Sequence, residues 1–576
     1  MKKFLLTILT LTVFTINGQT TTWDGSLWNN GTPNATVSAV VGGPYDTVND
    51  GSIDCLNLTV TNGNSLVISS GDYINVYGNI TVQSTAELLV KSGASLIPDN
   101  VNSIATGNVK VERKTPSTKR YDYTYWSSPV TTTIGNALLP TKWEPNRTFI
   151  FNTSNFYDIE TTYMSTFISN TPDGQDDNND AWTRTSITDN MVSGKGYASM
   201  VTSITPTGVY PRTETVTFIG PLNTGQINIP LSLSQNTVSD IDDFNLIGNP
   251  YSAAINSNDF IDTNIANISG TLYFWTHSNT LSTAFSGLAM YNFSANDYAK
   301  YTKLGGVRAV FGGKLPSNVI GSGQGFFVEA ENAANVNFTP PMMSIAYSNT
   351  TPVSFFRNSN NSKSKLWLNL YNDDFFSQQL IGYTNQTNLN YNKGWDSKIM
   401  IIKVPLKFYS IENDVMYDIQ ARNKYKEKDI VTLGYYAALD GEYTISIDDK
   451  EGDFEDIYLY DKSMNVCHDL ITPYTFTTVA GSFDTRFELR YKQVKNDEND
   501  ENDDDKQISI TNNNSIVKVL SDVGIISNIK IYDMSGRIIK EFNEDLTQVN
   551  INDLPKGLLI FKISVNGKII TKKIIL

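Results

Sequence analysis

The sequence predicts an all-β protein built from several units in series, and three observations carry that prediction. Apolar residues recur at alternate positions in short runs, which is the period of a strand with one buried face. Aromatics are plentiful, with 30 Tyr and 27 Phe, and together with Thr they suit pleated surfaces. Gly, Asn, Asp and Ser punctuate the runs, as turns require. At 576 residues the chain exceeds a single core, and roughly three to five domains are expected.

Residues 1–18 read as a signal peptide. Lys2 and Lys3 form a positive start, Phe4 to Ile16 an apolar core, and Asn17-Gly18 puts a small residue before Gln19. The run is shorter than the ~20 apolar residues of a spanning helix. No Cys stands directly after the cleavage point, which argues against a lipid anchor, and no other apolar run has spanning length. Cys55 and Cys467 lie too far apart in sequence to give grounds for a disulfide.

In residues 19–103 apolar triplets return every six to eight residues, among them Leu56-Leu58-Val60, Ile74-Val76, Ile80-Val82 and Leu88-Val90. Asn62-Gly63-Asn64, Ser70-Gly71-Asp72 and Ser92-Gly93-Ala94 separate them. Strands so short and evenly spaced predict a β-solenoid-like segment, each rung covering its neighbour's apolar face. A row of small hairpins in a sandwich is the competing arrangement.

Residues 104–221 and 222–348 read as two copies of one β-domain. Tyr123–Val130 matches Phe244–Tyr251, Gly194–Met200 matches Gly323–Glu329, and Thr215–Pro221 matches Asn335–Pro341, at offsets of 121, 129 and 120 residues. The glycines of Gly194-Lys195-Gly196 and Gly321-Ser322-Gly323-Gln324-Gly325 have the look of phosphate loops. A phosphate loop must open a helix, however, and these enter apolar β-type runs, so structural turns are expected.

Residues 349–364 form a polar linker and 365–492 a third unit, an antiparallel β-sandwich whose strands include "KLWLNLYN", "QQLIGYT" and "RFELRYK". Asp440-Gly441 reads as a hairpin turn. The acidic stretch 493–507 repels itself and reads as a solvated linker before a small C-terminal β-sandwich, 508–576. Calcium is the one cofactor with any basis, because Asp173, Asp176, Asp177 and Asp180 crowd one segment. Their spacing does not match a calcium loop, and a solvated loop is the simpler expectation.

A net charge of -15 argues against nucleic acid as a partner. Only two histidines exist, His277 and His468, neither within a catalytic or metal motif, and the chain holds no G-x-S-x-G, H-E-x-x-H or P-loop. No catalytic residues are assigned. Trp126, Trp143, Trp182, Trp275 and Trp395 are either core residues or a sugar-stacking platform, and strand aromatics are usually core.

The end of the chain contains Ile531-Tyr532-Asp533-Met534-Ser535-Gly536-Arg537, then Leu554-Pro555-Lys556-Gly557, then Lys572-Lys573-Ile574-Ile575-Leu576. These segments resemble, in order, the type A C-terminal sorting domain of the type IX secretion system. Leu558-Leu559 departs from the aromatic that often follows the glycine in that family, a swap another large apolar residue accommodates. The resemblance implies that Tyr532, Asp533, Gly536, Arg537, Leu554, Pro555, Gly557, Lys572 and Lys573 belong to a sorting signal. It implies outer-membrane secretion machinery as partner and export through the inner membrane and periplasm to the surface or beyond. Residues 100–490 also look like uncharacterised surface or secreted proteins with the same tail. The expected function is adhesion or binding of a glycan or matrix ligand, not catalysis. A secreted polysaccharide-degrading enzyme and a passive envelope or matrix component are the alternatives.

Overall fold

The computed structural model describes residues 19–119, 121–138, 143–156, 181–201, 211–234, 243–276, 278, 293, 297–310, 312–343, 363–400, 404–452, 454–493, 508–513, 516–521, 526–533, 536–543, 548–550, 554–555, 558–565 and 568–575. It divides into two units, one ending at Gln493 and one beginning at Val494.

The chain opens as a parallel β-solenoid, which decides between the two arrangements the triplets allowed. Leu58 lies beside Ile80, Leu66 beside Leu88, and Ile74 beside both Ile53 and Leu96, all in parallel pairing. Hairpins would pair antiparallel. The partners are 21 or 22 residues apart, the length of one rung, and their side chains stack in a closed interior. Each buried Leu or Ile contributes about 1.5–3 kcal/mol relative to exposure. Between rungs Asn57 Oδ1 accepts the Asn79 amide at 2.8 Å, and Asn79 Oδ1 accepts that of Ile104 at 2.9 Å. These bonds satisfy backbone groups at the corners, where the ladders stop.

A solenoid exposes an unpaired edge at each end and needs caps. At its start Trp23, Trp28 and Tyr45 pack ring to ring, and the Trp23 indole donates to the Pro44 carbonyl at 2.8 Å. At its far end Val109–Lys114 pairs in parallel with Glu87–Val90 and antiparallel with Thr215–Gly220. That strand, placed by sequence in the first repeat, therefore also completes the last solenoid rung.

The two repeats share one topology. In the first, Tyr123–Trp126, Tyr197–Val201, Trp143–Phe151 and Trp182–Arg184 lie side by side in that order. In the second, Phe244–Gly248, Gly325–Ala330, Ile268–Trp275 and Tyr298–Tyr301 follow the same path, with Gly306–Val307 added at the edge. Each carries a short helix after its first strand, Ile134–Leu138 and Ser257–Asn264. Each also has a separate antiparallel pair, Val109–Lys114 with Thr215–Gly220 and Ile227–Pro230 with Asn335–Phe338. Tyr125 and Ala198 of the first sheet pack with Phe244, Leu246, Tyr273 and Phe327 of the second in one cluster. The repeats thus face one another across a shared aromatic layer.

Their contact is reciprocal. Ser127 donates its amide to the Gly323 carbonyl at 2.8 Å, and the equivalent Gly248 donates to Gly194 at 2.9 Å. The glycine loops are what make that approach possible. A Cβ on Gly196 would lie 2.9 Å from the Leu246 carbonyl carbon, and one on Gly325 the same distance from that of Tyr125.

The third part is one continuous sheet folded over a single core, rather than two separate sheets. One arm runs Phe376–Tyr383, Ser364–Tyr371, Gly441–Glu451, Tyr474–Thr478. The other runs Leu406–Glu412, Ile430–Ala437, Gly481–Arg490, Tyr458–Asp461, Val466–Asp469. Val415–Arg422 joins the arms, parallel to Phe376–Tyr383 and antiparallel to Leu406–Glu412. Leu366, Leu368 and Leu370 of one arm and Val431, Leu433 and Tyr435 of the other share the core.

The expected Asp440-Gly441 hairpin is corrected by this pairing. Ile430–Ala437 pairs with Leu406–Glu412 and Gly481–Arg490, and Gly441–Glu451 pairs with Ser364–Tyr371 and Tyr474–Thr478. The turn is an arch between arms. Tyr443 Oη donates to the Leu439 carbonyl at 2.9 Å, and Asp440 accepts the Ala480 amide at 2.7 Å. Those bonds replace the ladder a hairpin would have made.

The second unit has two antiparallel sheets. Ile508–Asn513, Ile516–Ser521 and Gln548–Asn550 form one; Ile538–Phe542, Ile526–Tyr532, Leu558–Val565 and Lys568–Ile575 form the other. Ile529, Ile531, Leu559, Phe561 and Ile563 are buried at alternate positions on one face of the second sheet. Leu559 thus fills a core position where the related family often carries an aromatic.

Candidate functional site

The outer surface of the third part carries an open groove of about 480 Å³, within the usual range of roughly 300–1,000 Å³ for ligand sites. Cross-strand register builds it in rows. Trp367 faces Leu380, Asn369 faces Gln378 and Ser446, and Tyr371 faces Phe376 and Thr444. Even-numbered leucines 366, 368 and 370 point into the core, so these odd-numbered residues share the outer face. The Trp row is covered by the second repeat, whose Gly306 carbonyl accepts the Trp367 indole N–H at 2.8 Å. The amide row forms the middle of the groove, and the aromatic row its open end.

The middle row is locked. Asn369 Nδ2 donates to Asp448 Oδ1 at 3.1 Å, and Gln378 Nε2 donates to Asn369 Oδ1 at 2.9 Å and to Asp448 Oδ2 at 3.0 Å. Gln378 Oε1 accepts the Arg308 amide at 3.0 Å, and Arg308 Nη1 donates to the Gly313 carbonyl at 2.7 Å. Each amide is therefore held in one orientation, which is how polar networks fix a site. The far wall is the turn after Tyr371, where Asn372 Oδ1 accepts the amides of Asp374 and Phe375 at 3.0 and 2.7 Å. That Asx turn leaves Asp373 and Asp374 exposed at the rim. Sequence reading passed over these residues. The signal was "NLYNDDFFSQQ", an Asx turn flanked by facing aromatic and amide pairs; Asp448 and Arg308 join only through the fold.

Other sequence candidates fall elsewhere. Trp126 is buried in the solenoid-side core, and Trp182 and Trp275 pack in the aromatic layer between repeats. Trp395 is buried with Lys303 and Lys363 at 4.8 and 4.6 Å from its ring. Trp143 lies on the central sheet of the first repeat. Trp126, the Trp182–Trp275 pair and Trp395 thus belong to three separate clusters and form no common platform. His468 Nε2 lies 2.9 Å from the Thr472 carbonyl. Cys55 sits in the solenoid interior, where burial pushes its thiol up to about 12. Asp173, Asp176, Asp177, Asp180 and His277 lie outside the described residues.

Of the residues expected in the sorting signal, Tyr532, Asp533, Gly536 and Arg537 lie at one hairpin. Tyr532 ends the strand Ile526–Tyr532, with Lys562 Nζ 5.2 Å from its ring. Asp533 closes the turn, its Oδ1 accepting the Arg537 amide and its own amide donating to the Arg537 carbonyl, both at 3.0 Å. Gly536 takes φ 79°, a left-handed angle that suits glycine. The Arg537 side chain is largely exposed. Leu554 is buried and Pro555 exposed; Gly557 lies outside the described residues. Lys572 and Lys573 pair with Phe561 and Ile560 in the sheet.

Residues 504–576 match the secretion system C-terminal sorting domain. With that match the chain is an exported β-protein of the type IX pathway, directed to the outer cell surface or secreted through interaction with its machinery. It belongs to a domain family of unknown function, DUF8693, whose model covers residues 15–491. No curated protein matches the chain. No helix among the described residues is long and apolar enough to cross a membrane.

Proposed function

We propose that this protein is a surface or extracellular binding protein that holds a glycan or matrix ligand without converting it. In this reading residues 1–18 act as the signal peptide that feeds the chain into the periplasm, and the tail then carries it outward. The observation that supports binding is the groove on the third part. It combines half-buried aromatic rings with an immobilised row of amides, the mixture of apolar floor and fixed polar groups that ligand sites use. The solenoid and paired repeats serve as a rigid support.

Deletion of the gene tests the reading. Attachment to a glycan-coated surface falls, while growth on soluble and polymeric sugars is unchanged. Loss of growth on one polymer with normal attachment would instead mark a degradative enzyme.

A further inference from the structure

Resting on that reading, we infer that the groove takes an uncharged sugar residue and rejects acidic ones. Tyr371 and Phe376, directly opposite each other in the sheet, give an apolar floor matched to the C–H face of a pyranose ring. The hydroxyls of Tyr371 and Ser446 line the same groove and have no protein partner among the described residues. They are positioned to meet ring hydroxyls just above the floor. Asn369 and Gln378 are committed to their own network and act as fixed backing.

Charge sets the selectivity. Asp373, Asp374 and Asp448 line the groove. The cation beside them is Arg308, whose guanidinium already donates to Gly313 and sits 3.7 Å from Asp448. A uronate or sulfated sugar would bring another anion against exposed carboxylates, and the described residues that line the groove include no Lys or Arg to receive it. A neutral sugar meets no such repulsion, and carboxylates are good acceptors for its hydroxyls.

The test titrates the exported protein, in the presence of a chelator, with oligosaccharides of glucose, mannose and xylose and with those of galacturonate and glucuronate. The expected result is binding of at least one neutral series and weaker binding of both acidic ones. Tyr371→Ala weakens the neutral ligand about tenfold, roughly 1.4 kcal/mol, at an unchanged melting temperature. Should that variant fail to fold, Ser446→Ala gives a smaller loss in the same direction. The double variant Asp373→Asn, Asp374→Asn narrows the gap between acidic and neutral series. Tighter binding of an acidic series, or neutral binding indifferent to both Tyr371→Ala and Ser446→Ala, overturns the inference and leaves glycan binding standing. Binding of no glycan overturns both.

Discussion

Ser127 donates its backbone amide to the carbonyl of Gly323, and 121 residues further along the chain Gly248 makes the same bond to Gly194. The two repeats therefore clasp each other symmetrically, each glycine loop lying against the other's first strand. This explains the glycines that mimic phosphate loops. Gly196, Gly323 and Gly325 are placed there by backbone approach between repeats.

Gly196→Ala and Gly325→Ala test that clasp. Each Cβ would press on backbone of the facing strand, and that of Gly196 also on Leu246 Cγ and that of Gly325 on Tyr125 Cβ. Overpacking of this kind costs about 1–3 kcal/mol. Chemical denaturation of each variant reads the loss, and full stability in both would contradict the packing described.

A buried amide predicts a gain. Gln379 is fully buried beside the core of the third part, and neither its Nε2 nor its Oε1 has a protein partner among the described residues. An unsatisfied buried polar group costs about 1–3 kcal/mol. Gln379→Met keeps the length and removes the cost, so the thermal midpoint rises. A fall would show that the amide is satisfied by bound water.

A buried guanidinium predicts a loss. Arg422 Nη1 donates to Glu412 at 2.7 Å and its Nε to Asp429 at 2.8 Å, where three strands of the folded sheet meet. Removing one partner of a buried ion pair costs about 3–5 kcal/mol because the other charges remain. Arg422→Met is expected to reach that range in a denaturant titration. A change below about 1 kcal/mol would place the group among surface pairs.

The packing of the second repeat against the third part predicts a pH effect. Burial raises the Glu329 carboxyl to about 7 and Asp396 to about 6, in each case the largest cause. A carboxyl whose folded pKa exceeds its unfolded value binds more protons when folded. Stability from these groups is therefore full below about pH 4 and falls as pH rises, levelling off above about 7. Melting midpoints measured from pH 5 to pH 8 should decline, and Glu329→Gln should flatten the decline between pH 6 and 7.5. A wild-type midpoint that rises over that interval, with no change in the variant, would contradict the assignment.

Local pattern and long-range pairing divide what the sequence reveals. The solenoid was legible because Leu58, Ile80, Leu66 and Leu88 each sit one rung from a like residue, so period alone implies stacking. The repeat was legible because three segments recur in order. The folded sheet was not, since Leu366/Leu368/Leu370 alternate identically whether the neighbour is parallel or antiparallel. Asp440-Gly441 misled for the same reason: a turn residue fixes local geometry and says nothing about which strand lies next door. The groove stayed hidden because its Asn369–Gln378 pair needs the register across the Asx turn, and Asp448 and Arg308 arrive from roughly 70 residues away on either side.

Export through the C-terminal domain is the central claim, and truncation tests it most directly. A chain ending at Lys506 retains residues 1–18 and the whole DUF8693 region and lacks the hairpin held by Asp533 and Arg537. Fractionation of cells expressing this chain and the full-length protein is expected to find the truncated form inside the envelope and the full-length form at the surface or in the medium. Equal amounts of both outside the cell would contradict the account.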